Sequence, residues 1–393
     1  MGLIFTDRER TEWSASRQGE TSHAFLDRSA QPIFAAVRHL LEDWLTRVPA
    51  EHQADLIGAF RADNQQFDSA FWALYLHELY LRAGYDVEIH PEVPNSPKHP
   101  DFRMTGKGEP FYLEAVQVGT PTSDLAERRR MEAAHDAMNG EATEQFSLSM
   151  THAQIGPNPL SARRLRQELR RWLAGLDPAT VVAALSEPER PGELTFDRLP
   201  RFTWRHDGWD LEFHALPLSP DAARGDTPMI GMYGPATAQM IDKHTGLSRA
   251  LDSKANKYGE LDAPLVIAVL DNTGPSLTKD YQVEQALFGL AAAPPAVSAT
   301  EPEGILQGGH WLGRSGWRRG HAPQVIAAMN FAPWDVAKFQ PRLWETLEPG
   351  RKGPKQPDFL ARVDVGGRDP QILPAGANPF GLPDGWPGER EFR

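Results

Sequence analysis

The run PLVIAVLDN, residues 264–272, holds six consecutive apolar residues between a proline and an Asp-Asn pair. A run that short and that apolar reads as a strand covered on both faces. The chain must therefore supply layers above and below a sheet. Helical spacing is available for those layers. QPIFAAVRHLLEDWLTRV (Gln31 to Val48) and Phe67 to Ala83 read as helices, and a third leads up to Tyr258. YDVEIHP, PDFRM and FYLEAVQV read as three strands between them, and QVIAAMNFAPW as a later one. DLAERRRMEAAHDAMNG reads as a charged helix closed by Gly140, followed by a strand in FSLSMTHA. SARRLRQELRRWLAGL is amphipathic, with Ser161 placed to cap it, and DGWDLEFHALPL alternates as a strand does. The fold class expected is α/β, a mixed sheet flanked by helices and extended by the C-terminal half. Residues 1–54 read as an N-terminal helical segment whose first thirty residues are loosely held. Residues 156–350 read as an α/β extension completing the same domain, and 351–393 as a Pro/Gly-rich tail without periodicity.

Charge and composition narrow the function. The net charge of −12 argues against coating nucleic acid by bulk attraction, though not against a local basic groove. With no cysteine, disulfides, thiolate zinc sites and a cysteine nucleophile are excluded. No basic-then-apolar leader opens the sequence and no window approaches a membrane span, so a cytoplasmic protein is expected.

The hairpin HPDFRMTGKGEPFYLEAVQV, His99 to Val118, carries the chemistry. With Lys107-Gly108 at the turn, Asp101 faces Glu114 with Cβ atoms ~4.5–5.5 Å apart. Two ionised carboxylates side by side repel, so one stays protonated or a divalent cation joins them. Glu114 also shares its strand face with Tyr112, Val116 and Val118, where an unpaired carboxylate is costly. The structural alternative makes Asp101 a turn residue after Pro100 and puts Glu114 on a solvated edge. On the preceding helix, Glu78 falls inside the apolar stripe of Phe67, Phe71, Leu74 and Leu81, an arc of about 80°. It either joins the two hairpin acids or pairs with Arg82 one turn on.

An acid-bearing helix, a strand, Pro-Asp, and a glutamate a dozen residues later in an apolar strand resembles the PD-(D/E)XK nuclease superfamily. The core likeness spans residues 55–155, with FWALYLHELYLRAGYDVEIHPEVPNSPKHPDF and FYLEAV its most specific text, and KANKYGELDAPLVIAV and VEQALFG similar to a later part of the same group. The resemblance implies a restriction-endonuclease-like core and metal-dependent phosphodiester hydrolysis. Asp101, Glu114 and Glu78 would ligate Mg²⁺ or Mn²⁺. One position departs from the pattern: the lysine two residues after the glutamate is Val116 here. Lys254 is the substitute candidate, sharing a stripe of about 60° with Leu247, Leu251 and Tyr258, although a lysine there reads first as a stem that snorkels outward. Lys257 lies off that stripe beside PLVIAV, and Lys98 flanks Pro100-Asp101 as a candidate phosphate contact.

Arg163, Arg166 and Arg170 decorate one helix and can track a phosphate backbone, or form a solvated face that Glu168 interrupts. Trp311, Trp317 and Trp334 beside basic residues read as core packing or as base-stacking platforms. No dinucleotide fingerprint, HExxH or nucleophile elbow is present. The expected activity is a metal-dependent nuclease acting on DNA, in host defence. The alternatives are a non-catalytic relative binding nucleic acid or protein, and a hydrolase of small phosphoesters. The partners expected are DNA, with a protein partner or a second copy of the chain as further options, and no membrane.

Overall fold

A computed structural model describes residues 2–17, 19–94, 96–119, 122–139, 145–186, 198–218, 230–231, 243–273, 279–291, 305–313, 316–318, 320–365 and 371–389. Four helices open the chain: α1 (Ser22–Arg28), α2 (Pro32–Leu45), α3 (Ala50–Ala62) and α4 (Asn64–Arg82). Three strands follow, β1 (Asp86–Ile89), β2 (Phe102–Thr105) and β3 (Phe111–Val118). Next come α5 (Thr122–Asn139), β4 (Phe146–Gln154), α6 (Ala162–Leu173), α7 (Pro178–Leu185), β5 (Arg201–His206), β6 (Trp209–Pro217) and β7 (Ile230–Gly231). Then α8 (Lys243–Ala255), β8 (Leu265–Asp271) and α9 (Lys279–Phe288) lead to two short ribbons. These are β9 (Leu290–Ala291) with β10 (Ile305–Gln307), and β11 (Leu312–Gly313) with β12 (Gly316–Trp317). The last strands are β13 (Gln324–Met329), β14 (Arg342–Glu345), β15 (Ala361–Asp364) and β16 (Gln371–Ile372).

The chain divides into two compact units, the larger made of Met1–Thr11, Thr21–Gly119 and Asp242–Arg390. Its sheet runs β1-β2-β3-β8-β13-β14-β15-β16. β1, β2 and β3 form an antiparallel meander, while β3, β8 and β13 lie parallel. All seven residues of β8 are buried, as its unbroken apolar text requires. Alternation splits the strands between two cores. Leu113, Val266 and Ala268 face the helix layer that contains α4. Tyr112, Ile267 and Val269 face Leu247 and Leu251 of α8 and Val283 of α9. α4 is entered through Asp63, whose side chain accepts the Gln66 N–H at 2.8 Å.

The smaller unit comprises Glu12–Glu20, Thr120–Ile241 and Glu391–Arg393. Its sheet runs β5-β6-β4-β7, and Leu165 and Leu169 of α6 pack with Leu148, Leu211 and Phe213. The strand beside β3 is thus β8, and the strand read in FSLSMTHA lies in this second sheet instead. Ser161 makes no side-chain capping bond to α6, contrary to expectation. Gly140 lies outside the described residues.

Two segments are better held than their composition suggests. Ile4, Phe5, Phe25 and Leu26 are buried in the main core, and Asp27 pins the N-terminal strand of chain through the Thr6 N–H at 2.7 Å. Beyond residue 350, Phe359, Leu360, Phe380 and Trp386 join the same core, and the Gln356 carboxamide oxygen accepts from the Tyr80 hydroxyl at 2.5 Å. A few well-placed aromatics fix a segment that no periodicity announces. Among the described residues no helix is long and apolar enough to cross a membrane.

Because β8 is enclosed on both faces, Ile267→Ala is expected to cost about 2–5 kcal/mol in urea denaturation, a cavity penalty. Val182→Ala, at a position 49% exposed on α7, is expected to stay within about 0.5 kcal/mol of the parent.

Candidate active site

The hairpin sets the site. Gly106 and Gly108 turn the chain at φ +87° and +84°, a region that side-chain-bearing residues rarely adopt. The register that follows pairs Phe102 with Leu113, Arg103 with Tyr112 and Met104 with Phe111. One step further brings Asp101 to Glu114, as the sequence arithmetic places them. A carboxylate oxygen of Asp101 accepts the Ala115 backbone N–H at 2.7 Å, tying the start of β2 to β3.

Glu114 is fully buried, on the face of β3 that looks toward α8. Its charge is met at close range. Lys254 Nζ lies 2.5 Å and Lys257 Nζ 2.9 Å from Oε1, and the Tyr258 hydroxyl donates to Oε2. The two lysine side chains remain 24% and 30% exposed while serving a buried partner. The last turn of α8 positions Lys254, and the chain leaving it carries Lys257 and Tyr258. A helix C-terminus also favours cations through its dipole. The Lys257 ammonium stands 4.9 Å from the centre of the Tyr258 ring, and the His99 carbonyl oxygen is 3.1 Å from the Tyr258 hydroxyl. Burial and the bond to Glu114 push the Tyr258 hydroxyl well above its ordinary range. It therefore acts as a proton donor to the carboxylate and not as a base.

Asp101 behaves differently. Burial first, and then the negative charge of Glu114, push its carboxyl up to about 6, against the pull of Lys254, the Ala115 N–H and Lys257. Asp101 is thus a carboxyl that takes up a proton just below neutrality, beside the ion-paired Glu114. Both lysines bear on it. Sequence reasoning favoured an outward stem for Lys254, and the structure turns it inward onto Glu114. It placed Lys257 off the stripe, yet Lys257 reaches the same oxygen. It missed Tyr258 as a polar partner, although the spacing of four from Lys254 on the same stripe signals a shared target.

Glu78 is not brought to the pair. α4 packs on the opposite face of β3, and the Glu78 carboxylate is held by Arg47 at 2.8 Å and by Arg82. Its place in an apolar stripe reflects a buried double ion pair, the arginine-pairing alternative, rather than a metal ligand. Among the described residues no group of three or more His, Asp or Glu side chains is arranged to hold a metal ion. Lys98 is exposed one residue before His99, at the border of the site. Arg163 and Arg170 are exposed and Arg166 half-buried on α6, in the smaller unit, with Leu165 and Leu169 turned inward. Arg164 pairs with Glu168 at 3.1 Å. Trp311 is fully buried with its N–H on the Ala322 carbonyl at 2.7 Å, which makes it core packing.

Comparison of the chain with protein-family models, with curated proteins and with solved structures found no match.

Two outcomes follow from these contacts. Glu78→Ala removes a buried carboxylate and leaves Arg47 and Arg82, both exposed, to water, so it is expected to cost about 1–3 kcal/mol, with any Mg²⁺-induced rise in melting temperature unchanged; a variant that melts normally but ignores Mg²⁺ reverses the assignment. The folded pKa of Asp101 lies above the ordinary 3.8, so the folded state holds the extra proton. Its contribution is complete below about pH 4 and is lost as pH rises through about 6. Asp101→Asn escapes that loss. In metal-free buffer its melting temperature relative to the parent is expected to rise between pH 4.5 and 7.5, and a flat difference contradicts the raised value.

Proposed function

We propose that the chain is a metal-dependent phosphodiester hydrolase of the restriction-endonuclease-like type, acting on DNA in host defence. The observation that carries this reading is the Lys254 ammonium, 2.5 Å from Glu114, in a cluster that also influences Asp101. It restores from a helix the cation that Val116 cannot supply from the strand. The order of elements gives second support. α4, the β1–β2–β3 meander, α8 and a β8 parallel to β3 follow the helix-strand-strand-strand-helix-strand core that the resemblance implies, with the smaller unit inserted in the chain before α8.

The donor set suits a hard divalent cation. Mg²⁺ is commonly held by one or two carboxylates together with substrate phosphate oxygens, so a ready-made cage of three acids is not required. Asp101 offers an oxygen not engaged by Ala115, and Glu114 offers Oε1 once an ammonium moves from it to a phosphate. When bound, the ion supplies polarisation of the phosphoryl oxygen and a water of lowered pKa. The lysines hold positive charge where charge develops on the phosphate, and Tyr258 orients Glu114. Lys98 and the arginine face of α6 are the candidate contacts to the nucleic-acid backbone.

A second reading has its own support. Both Glu114 oxygens are already occupied by Lys254, Lys257 and Tyr258, the arrangement of a sealed structural cluster. In that case the module binds nucleic acid or a protein without cutting.

Supercoiled plasmid incubated with Mg²⁺ or Mn²⁺ separates the readings. The parent is expected to nick or linearise it, with Asp101→Ala and Glu114→Ala inactive and Lys254→Ala slower by roughly 10²–10³-fold. Cleavage that persists in both acid variants rejects this site. Plasmid retained in a native gel but left intact by the parent favours the binding module.

A further inference from the structure

The charge of α6 is sorted by face. At about 100° per residue, Arg163, Arg164, Gln167, Arg170 and Arg171 fall within an arc of about 120°. All five are exposed. The opposite stripe, Leu165, Leu169 and Leu173, is buried in the core of the smaller unit. The exposed arc thus holds four arginines and no acid, in a chain with 53 Asp and Glu against 41 Lys and Arg. Like charges on one helix face repel, and the leucines already hold the helix in place, so folding gains nothing from the cluster. Glu168 lies just outside the arc and pairs with Arg164 at 3.1 Å. The next acid along the chain, Asp177, is turned to α7, where it accepts the Ala179 and Thr180 N–H groups. Among the described residues Arg163 and Arg171 make no ion pair or hydrogen bond.

The arc selects its partner. A guanidinium keeps its charge and forks onto paired oxygens, which suits phosphate. Arg163 and Arg170 are seven residues apart, as are Arg164 and Arg171. That separation is a rise of about 10.5 Å, close to three phosphate steps of about 3.4 Å along one strand of a duplex. A regular polyanion meets both rows at once, and a rigid helix offers them with little ordering cost. A lipid surface would need an apolar stripe to enter it, and the leucines of α6 are already in the core. Single strands are held largely by stacking on aromatic rings. The arc has none, since Trp172 lies outside it, half-buried and stacked on Phe202 with centroids 5.2 Å apart.

We infer that α6 docks on the phosphate backbone of duplex DNA through Arg163, Arg164, Arg170 and Arg171, without reading the base sequence. Arg166, half-buried on the flank, stands outside this contact. The Arg164 ion pair is exposed and therefore weak, so its guanidinium can leave Glu168 for a phosphate. The inference deepens the hydrolase reading and rests on its choice of DNA, but the charge of α6 carries it and not the Glu114 cluster.

The full-length protein is titrated into a fluorescein-labelled duplex in EDTA, with anisotropy read over a series of salt concentrations. The parent is expected to bind, its log affinity falling with log salt by about 0.9 for each phosphate neutralised. The double variant Arg163→Gln, Arg171→Gln is expected to bind at least about tenfold more weakly at low salt, to flatten that slope by about two, and to melt as the parent does. Arg163→Lys with Arg171→Lys is expected to keep the affinity, because a backbone contact needs the charge. Asp101→Ala and two duplexes of unrelated sequence are expected to bind as the parent and first duplex do. The inference is overturned if the parent does not bind, if the glutamine variant keeps the parent's affinity and slope, or if its loss only follows a lower melting temperature. A preference of about tenfold between the two duplexes also overturns it. So does half-saturation at a lower phosphate concentration with a single strand, or with phosphatidylserine vesicles, than with the duplex. A parent that binds the duplex but leaves plasmid intact rejects the hydrolase and keeps this inference. A glutamine variant that cuts plasmid at the parent's rate with unchanged duplex affinity does the reverse.

Discussion

A carboxylate sealed from solvent has to be neutralised by its neighbours, and Glu114 sets that demand on the larger unit. It stands on the inner row of a strand whose other residues are apolar, where an unpaired charge is excluded by its desolvation cost. Two ammonium groups and a phenol meet it from a single turn-and-exit of one helix. That requirement fixes how α8 lies on β3 and β8, since Lys254, Lys257 and Tyr258 reach two oxygens only from one helix position. The apolar residues Leu247 and Leu251 press the same helix onto Ile267 and Val269. Packing and charge therefore specify one arrangement, which is the consistency expected of a well-defined native state.

The opposite face of the sheet solves a similar problem by other means. Glu78 is equally buried, but planar guanidinium groups from Arg47 and Arg82 hold it. Guanidinium is weakly hydrated and forks onto a carboxylate, which suits a permanent structural pair. Ammonium is a compact, mobile point charge that can leave one oxygen for another. The choice of lysine on one face and arginine on the other separates a cluster able to rearrange from one built to stay fixed.

Much of this was legible in the residues themselves. The apolar run of β8 announced a strand enclosed on both faces, and the glycines of the hairpin fixed a register that brings Asp101 to Glu114. The acid on the apolar stripe of α4 was visible, and so was Arg82 one turn on; its second partner was not, because Arg47 comes from the loop between two other helices and no spacing along α4 reveals it. The inward turn of Lys254 was misread for the same reason: a stripe shows which face a residue occupies, not whether a long side chain bends in or out. The neighbour of β3 was not legible, since the nearest strand text downstream, FSLSMTHA, belongs to another sheet. Sheet order between distant strands is set by tertiary packing, which local periodicity does not record. The tail after residue 350 carried its anchors as isolated aromatics, which leave no periodic trace.

Glu114 and Lys254 are 140 positions apart along the chain. At a synthesis rate of about 5–20 residues per second, the hairpin acid leaves the ribosome roughly 7–28 seconds before its lysine exists. During that interval the nascent β3 carries an unmatched charge that resists burial, while the intervening stretch has time to form its own sheet. The acid of β3 therefore meets its cations only after the intervening segment has been made.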